Sequence, residues 1–137
     1  MKNVPYINLK KQHAELKEEL LTTISGVLES ADFVLGSEVE KFEKTIAGYC
    51  DTKYAIGVNS GTDALFLVLK AYGIGPGDEV ITAPNSFLAS ASVIVAVGAK
   101  PVFADIRDDL NIDPAEIAKK ITKKTKAILP IHLTGKP

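Results

Sequence analysis

Residues 54–71 read YAIGVNSGTDALFLVLKA, and the spacing of apolar side chains changes within them. Tyr54–Val58 is short and apolar, which favours a buried strand. Asn59–Thr62 is a polar turn, and from Ala64 onward the apolar residues recur at helical spacing. These residues therefore predict a strand, a tight turn and a helix, which together open a βαβ unit.

The same alternation continues along the rest of the sequence. The further strands and helices are expected at residues 79–83, 84–97, 100–105, 113–121 and 127–132, beginning with a strand. Gly98 stands where a glycine commonly ends a helix, and Asp113 followed by Pro114 is typical of a helix start. Strands that alternate with helices predict an α/β fold, with a mostly parallel sheet and right-handed crossovers.

Two amphipathic helices are predicted before this region. Apolar residues between Leu9 and Leu28 recur every three or four positions, as on one face of a single helix. Ser37 can cap a second helix. The buried stripe of that second helix is predicted to comprise Val39, Phe42, Ile46 and Tyr49.

Length and composition indicate one globular domain without nucleic acid as a partner. The chain has 137 residues, and we interpret residues 1–137 as one partial domain, with N-terminal helices at 1–50 and a βαβ sheet region at 51–137. A composition of 46% hydrophobic and 24% charged residues is ordinary for a packed domain. The net charge of −1 argues against binding to a phosphate backbone, which requires an excess of Lys and Arg.

Cysteine content and hydropathy favour a cytoplasmic protein with no membrane partner. Cys50 is the single cysteine, which excludes an intramolecular disulfide and a zinc cluster built from several thiolates. The N-terminal residues are polar, unlike a signal peptide. Apolar runs are far shorter than the roughly 20 residues that a membrane-spanning helix needs.

The turns after the predicted strands are the places to look for a ligand site, because ligands of parallel sheets bind beyond the carboxyl ends of strands. Ser60, Gly61, Thr62 and Asp63 open a helix, where free N–H groups and the helix dipole favour a phosphate. A well-capped turn explains the same residues, since Ser, Thr and Asp are common caps. Both interpretations remain open on the pattern alone.

Phe87 follows the second predicted strand, at the same sheet edge. An aromatic face beside an anion site suits a flat, phosphorylated heteroaromatic ligand. A phenylalanine of the hydrophobic core is the alternative, because Phe is commonly buried.

No metal site is predicted. Asp105, Asp108 and Asp109 could suggest one, but an acidic loop before a helix explains them as well. His132 has no partner ligand in view and is left without a role.

Several motifs follow one another along nearly the whole chain. They are Phe33–Gly36 with Val39–Glu43, Asn59–Leu65, Gly75–Ile81, Pro84–Phe87, Gly98–Asp105 and Thr125–Ile128 leading to His132. In order and spacing they resemble the DegT family of pyridoxal-phosphate (PLP) sugar aminotransferases, within the fold-type-I aminotransferases. The resemblance implies a three-layer αβα fold, and identifies the chain as the N-terminal part of the large domain of such a transferase.

The resemblance also implies a cofactor and a reaction. The region of Ser60, Gly61, Thr62 and Asp63 would hold the phosphate of pyridoxal 5'-phosphate, and Phe87 would stack on its pyridine ring. Family members transfer an amino group from an amino acid, commonly glutamate, to a nucleotide-linked keto sugar, for surface polysaccharides or secondary metabolites. They work as homodimers, and Phe33–Gly36 is similar to the stretch that lies near the partner's site. A non-catalytic α/β module that binds a phosphorylated ligand or serves in assembly stays open as the alternative.

The resemblance places no catalytic residue within these 137 residues. The Schiff-base lysine and the aspartate to the pyridine nitrogen lie beyond Pro137 in the family, and a PLP transaminase needs both. We therefore expect the 137-residue chain alone to show no transamination when it is incubated with PLP, glutamate and a keto-sugar acceptor. Formation of 2-oxoglutarate above the protein-free rate would contradict this expectation.

Overall fold

The computed structural model describes residues 4–137, which divide into two compact units. We call residues 4–57 the helical unit and residues 58–137 the sheet unit. No helix among these described residues is long and apolar enough to cross a membrane.

The helical unit contains three helices, α1 (Leu9–Ala14), α2 (Lys17–Ser30) and α3 (Ser37–Tyr49). The prediction of one continuous helix from Leu9 to Leu28 is therefore wrong. The N–H of Leu16 donates to the carbonyl of His13, three residues back, at 3.2 Å, and this tighter turn separates α1 from α2. The amphipathic pattern runs through the break because a short interruption barely changes which face is apolar.

The start of α3 differs from the sequence prediction in one detail. Gly36, not Ser37, is the N-cap residue, and the carboxylate of Asp32 accepts a hydrogen bond from the Ser37 N–H at 3.0 Å. A Cβ at position 36 would overlap the Asp32 carboxylate, so a larger residue there would displace that carboxylate from the Ser37 N–H. The side chain that caps α3 is therefore that of Asp32, five residues before Ser37.

The predicted buried stripe of α3 is half right. Val39 and Ile46 are half-buried, but Phe42 and Tyr49 are exposed, and the buried residue of this helix is Ala47. Spacing along a helix shows which residues share a face. Burial additionally requires a partner to cover that face, which the helical unit does not provide at Phe42 and Tyr49.

The predicted strand at Tyr54–Val58 is wrong. No strand forms there, and Ile56 is 80% exposed. The N–H of Gly57 donates to Oε1 of Glu43 at 2.6 Å. A strand exists only when a neighbouring strand accepts its hydrogen bonds, and no strand of the described chain pairs with these residues.

The sheet unit has the alternating order that the sequence predicts. Its elements are α4 (Gly61–Ala71), β1 (Glu79–Thr82), α5 (Ala89–Ala96), β2 (Lys100–Phe103), α6 (Pro114–Lys120) and β3 (Thr125–Leu129). The three strands pair in parallel in the order β2-β1-β3, so β1 is central. The mostly parallel α/β sheet is confirmed.

Two apolar layers cover the two faces of the sheet. Successive side chains of a strand point to opposite faces, so Val80 and Ile81 of β1 join different clusters. Val80 packs in one cluster with residues of α4 and α5, including Leu69 and Ile94. Ile81 belongs to the second cluster, and Ile117 of α6 packs against that cluster. This arrangement of helices, sheet and helix is the predicted three-layer αβα architecture.

The boundaries of several predicted elements shift, among them the strand predicted at 100–105, which ends at Phe103. The helix after β1 begins at Ala89 rather than at Pro84, because residues 83–88 form a loop. The last strand ends at Leu129, before Pro130, which has no N–H to continue a ladder. Asp113 caps α6 with Pro114 at its first position, and Gly98 has a φ of +87° just after α5, both as predicted.

Glu79 links all three strands at one end of the sheet. Its N–H donates to the carbonyl of Lys124 at 2.8 Å, and its carboxylate accepts from the Thr122 hydroxyl at 2.7 Å and from Lys100 Nζ at 3.4 Å. The bond from Thr122 is the main cause that lowers the pKa of Glu79, and the charges of Lys100 and Lys124 act in the same direction.

This lowered pKa predicts a pH dependence of stability. The ionised Glu79 should stabilise the fold fully above about pH 4.3, the ordinary glutamate pKa, and lose that effect as pH falls through its lower folded value. Glu79→Gln should therefore lower the urea midpoint at pH 7 and lessen its decline on acidification. Glu15→Gln, a change at an exposed residue of the helical unit, is the control. Parallel midpoint curves for Glu79→Gln and the unmodified chain from pH 7 to 3 would contradict the assignment.

Candidate functional site

Two backbone donors at the start of α4 have no partner in the part of the chain that the structure describes. Ser60 is the N-cap in an extended conformation, and its hydroxyl oxygen accepts from the N–H of Asp63 at 3.1 Å. Its carbonyl accepts from the N–H of Ala64 at 3.0 Å. The N–H groups of Gly61 and Thr62 have no partner among residues 4–137, as is usual in a first helical turn.

This helix start is open to an approaching group. Ser60, Gly61 and Thr62 are exposed, and Asp63 is half-buried. No heavy atom lies within 4 Å of the position that a Cβ would occupy at Gly61. Two N–H groups that lack a partner among residues 4–137 therefore lie at an open helix start, where the positive end of the helix dipole favours an anion.

Phe87 lies in the loop that joins β1 to α5, and it is 77% exposed. The alternative of a core phenylalanine is therefore wrong. The carbonyl of Phe87 accepts from the N–H of Ser90 at 3.0 Å, which ties its backbone to the start of α5. Its ring is free to stack on a planar group.

The structure places part of the predicted site against α5. A cleft of about 350 Å³ separates the start of α4 from α5, and its lining residues are Thr62, Asp63, Phe66, Ser92, Val93 and Ala96. Phe87 stands two residues before α5 and does not line this cleft. Ser60–Asp63 and Phe87 are therefore held by neighbouring helices, α4 and α5, which pack together.

A second cleft in the sheet unit has a different character. It measures about 310 Å³ and lies between α4 and the edge strand β3, with Leu65, Val68, Tyr72, Ala127 and Leu129 among its lining. Nearly all of its surface is apolar, so it lacks the polar groups that fix the orientation of a small ligand.

The acidic loop after β2 is organised by its own hydrogen bonds. Asp109 accepts from the backbone of Asn111 at 3.0 Å and from Arg107 at 3.1 Å. These two partners, the backbone bond first, lower the pKa of Asp109. Within residues 4–137, no group of three His, Cys, Asp or Glu side chains is arranged to hold a metal ion.

Sequence reasoning missed two amide side chains that join the loops at the carboxyl ends of the strands. Asn85 Nδ2 donates to the carbonyl of Leu110 at 3.0 Å, and Asn111 Nδ2 donates to the carbonyl of Lys136 at 3.2 Å. Asparagine is common in loops, so nothing in the sequence pattern distinguishes these two from others.

Comparison with known proteins decides the family. Residues 14–137 match the DegT/DnrJ/EryC1/StrS aminotransferase family. The chain belongs to this family. The family predicted from the motifs is thereby confirmed.

Two characterised relatives illustrate the similarity. The chain is 46% identical over 135 residues to dTDP-3-amino-3,4,6-trideoxy-alpha-D-glucose transaminase of Streptomyces venezuelae. The matched region covers 98% of the chain and 36% of that relative. It is 47% identical over 134 residues to a pleiotropic regulatory protein of Geobacillus stearothermophilus. The matched region covers 97% of the chain and 36% of that relative. The chain thus spans little more than a third of the length of either relative.

Similar solved structures confirm the fold-type-I architecture. Streptomyces venezuelae DesV, determined in complex with a ketimine intermediate, matches with a TM-score of 0.95 at 45% identity, over 100% of the chain and 37% of DesV. NtdA of Bacillus subtilis, determined with bound cofactor PMP, matches with a TM-score of 0.94 at 39% identity, over 100% of the chain and 32% of NtdA.

Proposed function

We propose that this chain is part of a PLP-dependent aminotransferase. The reaction moves an amino group from an amino acid, with glutamate as the donor, to a keto sugar linked to a nucleotide. Membership of the aminotransferase family and the similarity to a dTDP-sugar transaminase support the proposal. In the structure, the observation that carries it is the pair of N–H groups at Gly61 and Thr62, which have no partner within residues 4–137.

The donors at the start of α4 fit the phosphate of PLP. A phosphate offers only acceptor oxygens, and the backbone N–H groups of Gly61 and Thr62 offer donors without a competing partner in the described chain. The hydroxyl of Ser60 accepts from Asp63, which leaves its own hydrogen available for donation. Glycine at position 61 keeps the approach open.

Phe87 fits the aromatic part of the same cofactor. An exposed phenyl ring on the loop after the central strand offers an apolar face to the pyridine ring. When bound, PLP supplies the electron sink for transamination. The residues of this chain would hold its phosphate and its ring at two points, which fixes the position of the ring for the reaction.

A homodimer in the cytoplasm forms part of the same proposal. Phe33, Val34 and Leu35 follow α2 and are exposed, as expected for residues that a second subunit would cover. The product sugar would serve the synthesis of surface polysaccharides or secondary metabolites. The single cysteine, which cannot form an intramolecular disulfide, supports a reducing compartment.

Removal of one backbone donor tests the phosphate site. Thr62→Pro deletes the N–H at the second helical position, where proline is tolerated, and should weaken the affinity for PLP and for inorganic phosphate roughly tenfold or more. Thr62→Ala retains this N–H and should lose less affinity. Isothermal titration with each ligand gives the dissociation constants, and circular dichroism verifies that both variants fold.

Glu38→Pro is a matched control. Glu38 occupies the second position of α3, an equivalent helix start with no proposed ligand. It should leave both affinities unchanged. Equal affinities for Thr62→Pro and Thr62→Ala would refute the assignment of the phosphate to this turn.

A further inference from the structure

We propose that Asn85 is a positioning residue, whose hydrogen bond to the Leu110 carbonyl fixes the loop that presents Phe87. Asn111 in turn holds the segment that supplies this carbonyl. The inference rests on the proposed function in one respect, the role of Phe87 as the ring that stacks on the cofactor.

The loop of residues 83–88 is anchored at both ends, by buried Ala83 in the cluster of Ile81 and by the carbonyls of Phe87 and Leu88, which accept from N–H groups of α5. Its middle, around Asn85, has fewer restraints. Phe87 and Leu88 are both exposed, so packing does not hold their side chains. The hydroxyl of Ser86 bonds to that of Ser90 at 2.9 Å, which is a local link to the helix that follows. In the part of the chain that the structure describes, the bond from Asn85 is the one side-chain hydrogen bond from this loop to another loop.

The acceptor of this bond is rigidly held. Leu110 has a φ of +69°, and its N–H donates to the carbonyl of Arg107 at 2.9 Å. The N–H of Arg107 donates to the carbonyl of Asn111 at 2.9 Å, which closes the turn. Ile112 then enters the apolar cluster beneath the sheet, together with Ile81. The Leu110 carbonyl is therefore anchored to the core within two residues.

Asn111 extends the same link to the third loop. Its side chain is 7% exposed, and its Nδ2 donates to the carbonyl of Lys136, which follows β3. Because a carbonyl oxygen can only accept, the atom of the Asn111 side chain that faces Lys136 is the nitrogen, and the other atom is Oδ1. Oδ1 is buried and has no hydrogen-bond partner among residues 4–137.

Two costly features thus meet at neighbouring residues. A leucine with positive φ and a buried acceptor without a donor both raise the free energy of the folded chain. Such features persist where the surroundings enforce them, and they concentrate at functional sites. Here they lie between the loops that follow β1, β2 and β3, at the edge of the sheet where ligands of parallel sheets bind. We infer that their role is to fix these loops, and with them the ring of Phe87.

The test uses the 137-residue chain with an added reporter. The sequence contains no tryptophan, so Phe87→Trp creates a single indole at the position in question. Asn85→Asp in this background keeps the shape of the side chain and replaces the Nδ2 donor by an oxygen that cannot donate when ionised. Steady-state anisotropy and acrylamide quenching at pH 7 then report the mobility and the accessibility of the indole in the folded chain.

We expect Asn85→Asp to lower the anisotropy and to raise the quenching constant towards that of a free indole. Asn8→Asp is the matched control. Asn8 lies in the helical unit and accepts from the N–H of Lys11, a bond that aspartate can also accept, so this variant should leave both readouts unchanged.

A purely structural role for Asn85 would give another result. The urea midpoint would fall, while anisotropy and quenching in the folded state would match those of the parent, and this outcome would overturn the proposal. If Asn85→Asp fails to fold, Asn85→Ala takes its place with the same expectations. An unchanged indole signal in that folded variant would also overturn it.

Titration of the same reporter chain with PLP separates the two proposals. If PLP quenches the indole of the reporter chain, and quenches it less in Asn85→Asp, the result supports both the proposed function and the positioning role of Asn85. Absence of PLP binding together with a mobile indole in Asn85→Asp contradicts the proposed contacts of this chain with the cofactor, while the positioning of residue 87 by Asn85 stands.

Discussion

The complete burial of the central strand is the constraint on which the sheet unit depends. Val80 and Ile81 have no exposed surface and point to opposite faces of β1. Burial of each such side chain contributes roughly 1.5–3 kcal/mol, provided that both faces are covered. The helices α4 and α5 cover one face and α6 covers the other. Because both faces must be covered, the chain crosses over the sheet through a helix between successive strands. These crossovers bring the loops with Phe87 and Asn111 to one edge of the sheet.

The candidate site follows from a second constraint, the unpaired N–H groups at a helix start. Ser60 satisfies only the N–H of Asp63, so the first helical turn retains donors that water or a ligand must take up. Packing of α4 against α5 then fixes the direction in which these donors point. The same contacts that stabilise the fold therefore orient the backbone donors that we propose to bind a phosphate.

Local signals in the sequence predict the sheet unit well, whereas features that depend on distant partners escape them. Asp113 with Pro114 and the glycine at 98 mark helix ends by their own backbone preferences, and both predictions hold. The strand predicted at 54–58 fails because an apolar run cannot show whether a neighbouring strand will pair with it. Asn85 and Leu110 are 25 residues apart, so their hydrogen bond leaves no periodic pattern to detect. The turn at Ser60–Asp63 is predictable from local sequence, whereas Phe87 is predicted in a helix and lies in a loop. The role of these residues in binding rests on the family motifs.

The most direct test of the central claim is a titration of the isotopically labelled chain with PLP, observed through its backbone amide resonances. We expect the largest and earliest shifts at the amides of Gly61 and Thr62, and we expect inorganic phosphate to shift the same two amides. Shifts that centre elsewhere, or that leave Gly61 and Thr62 unchanged at saturating PLP, would contradict the central claim.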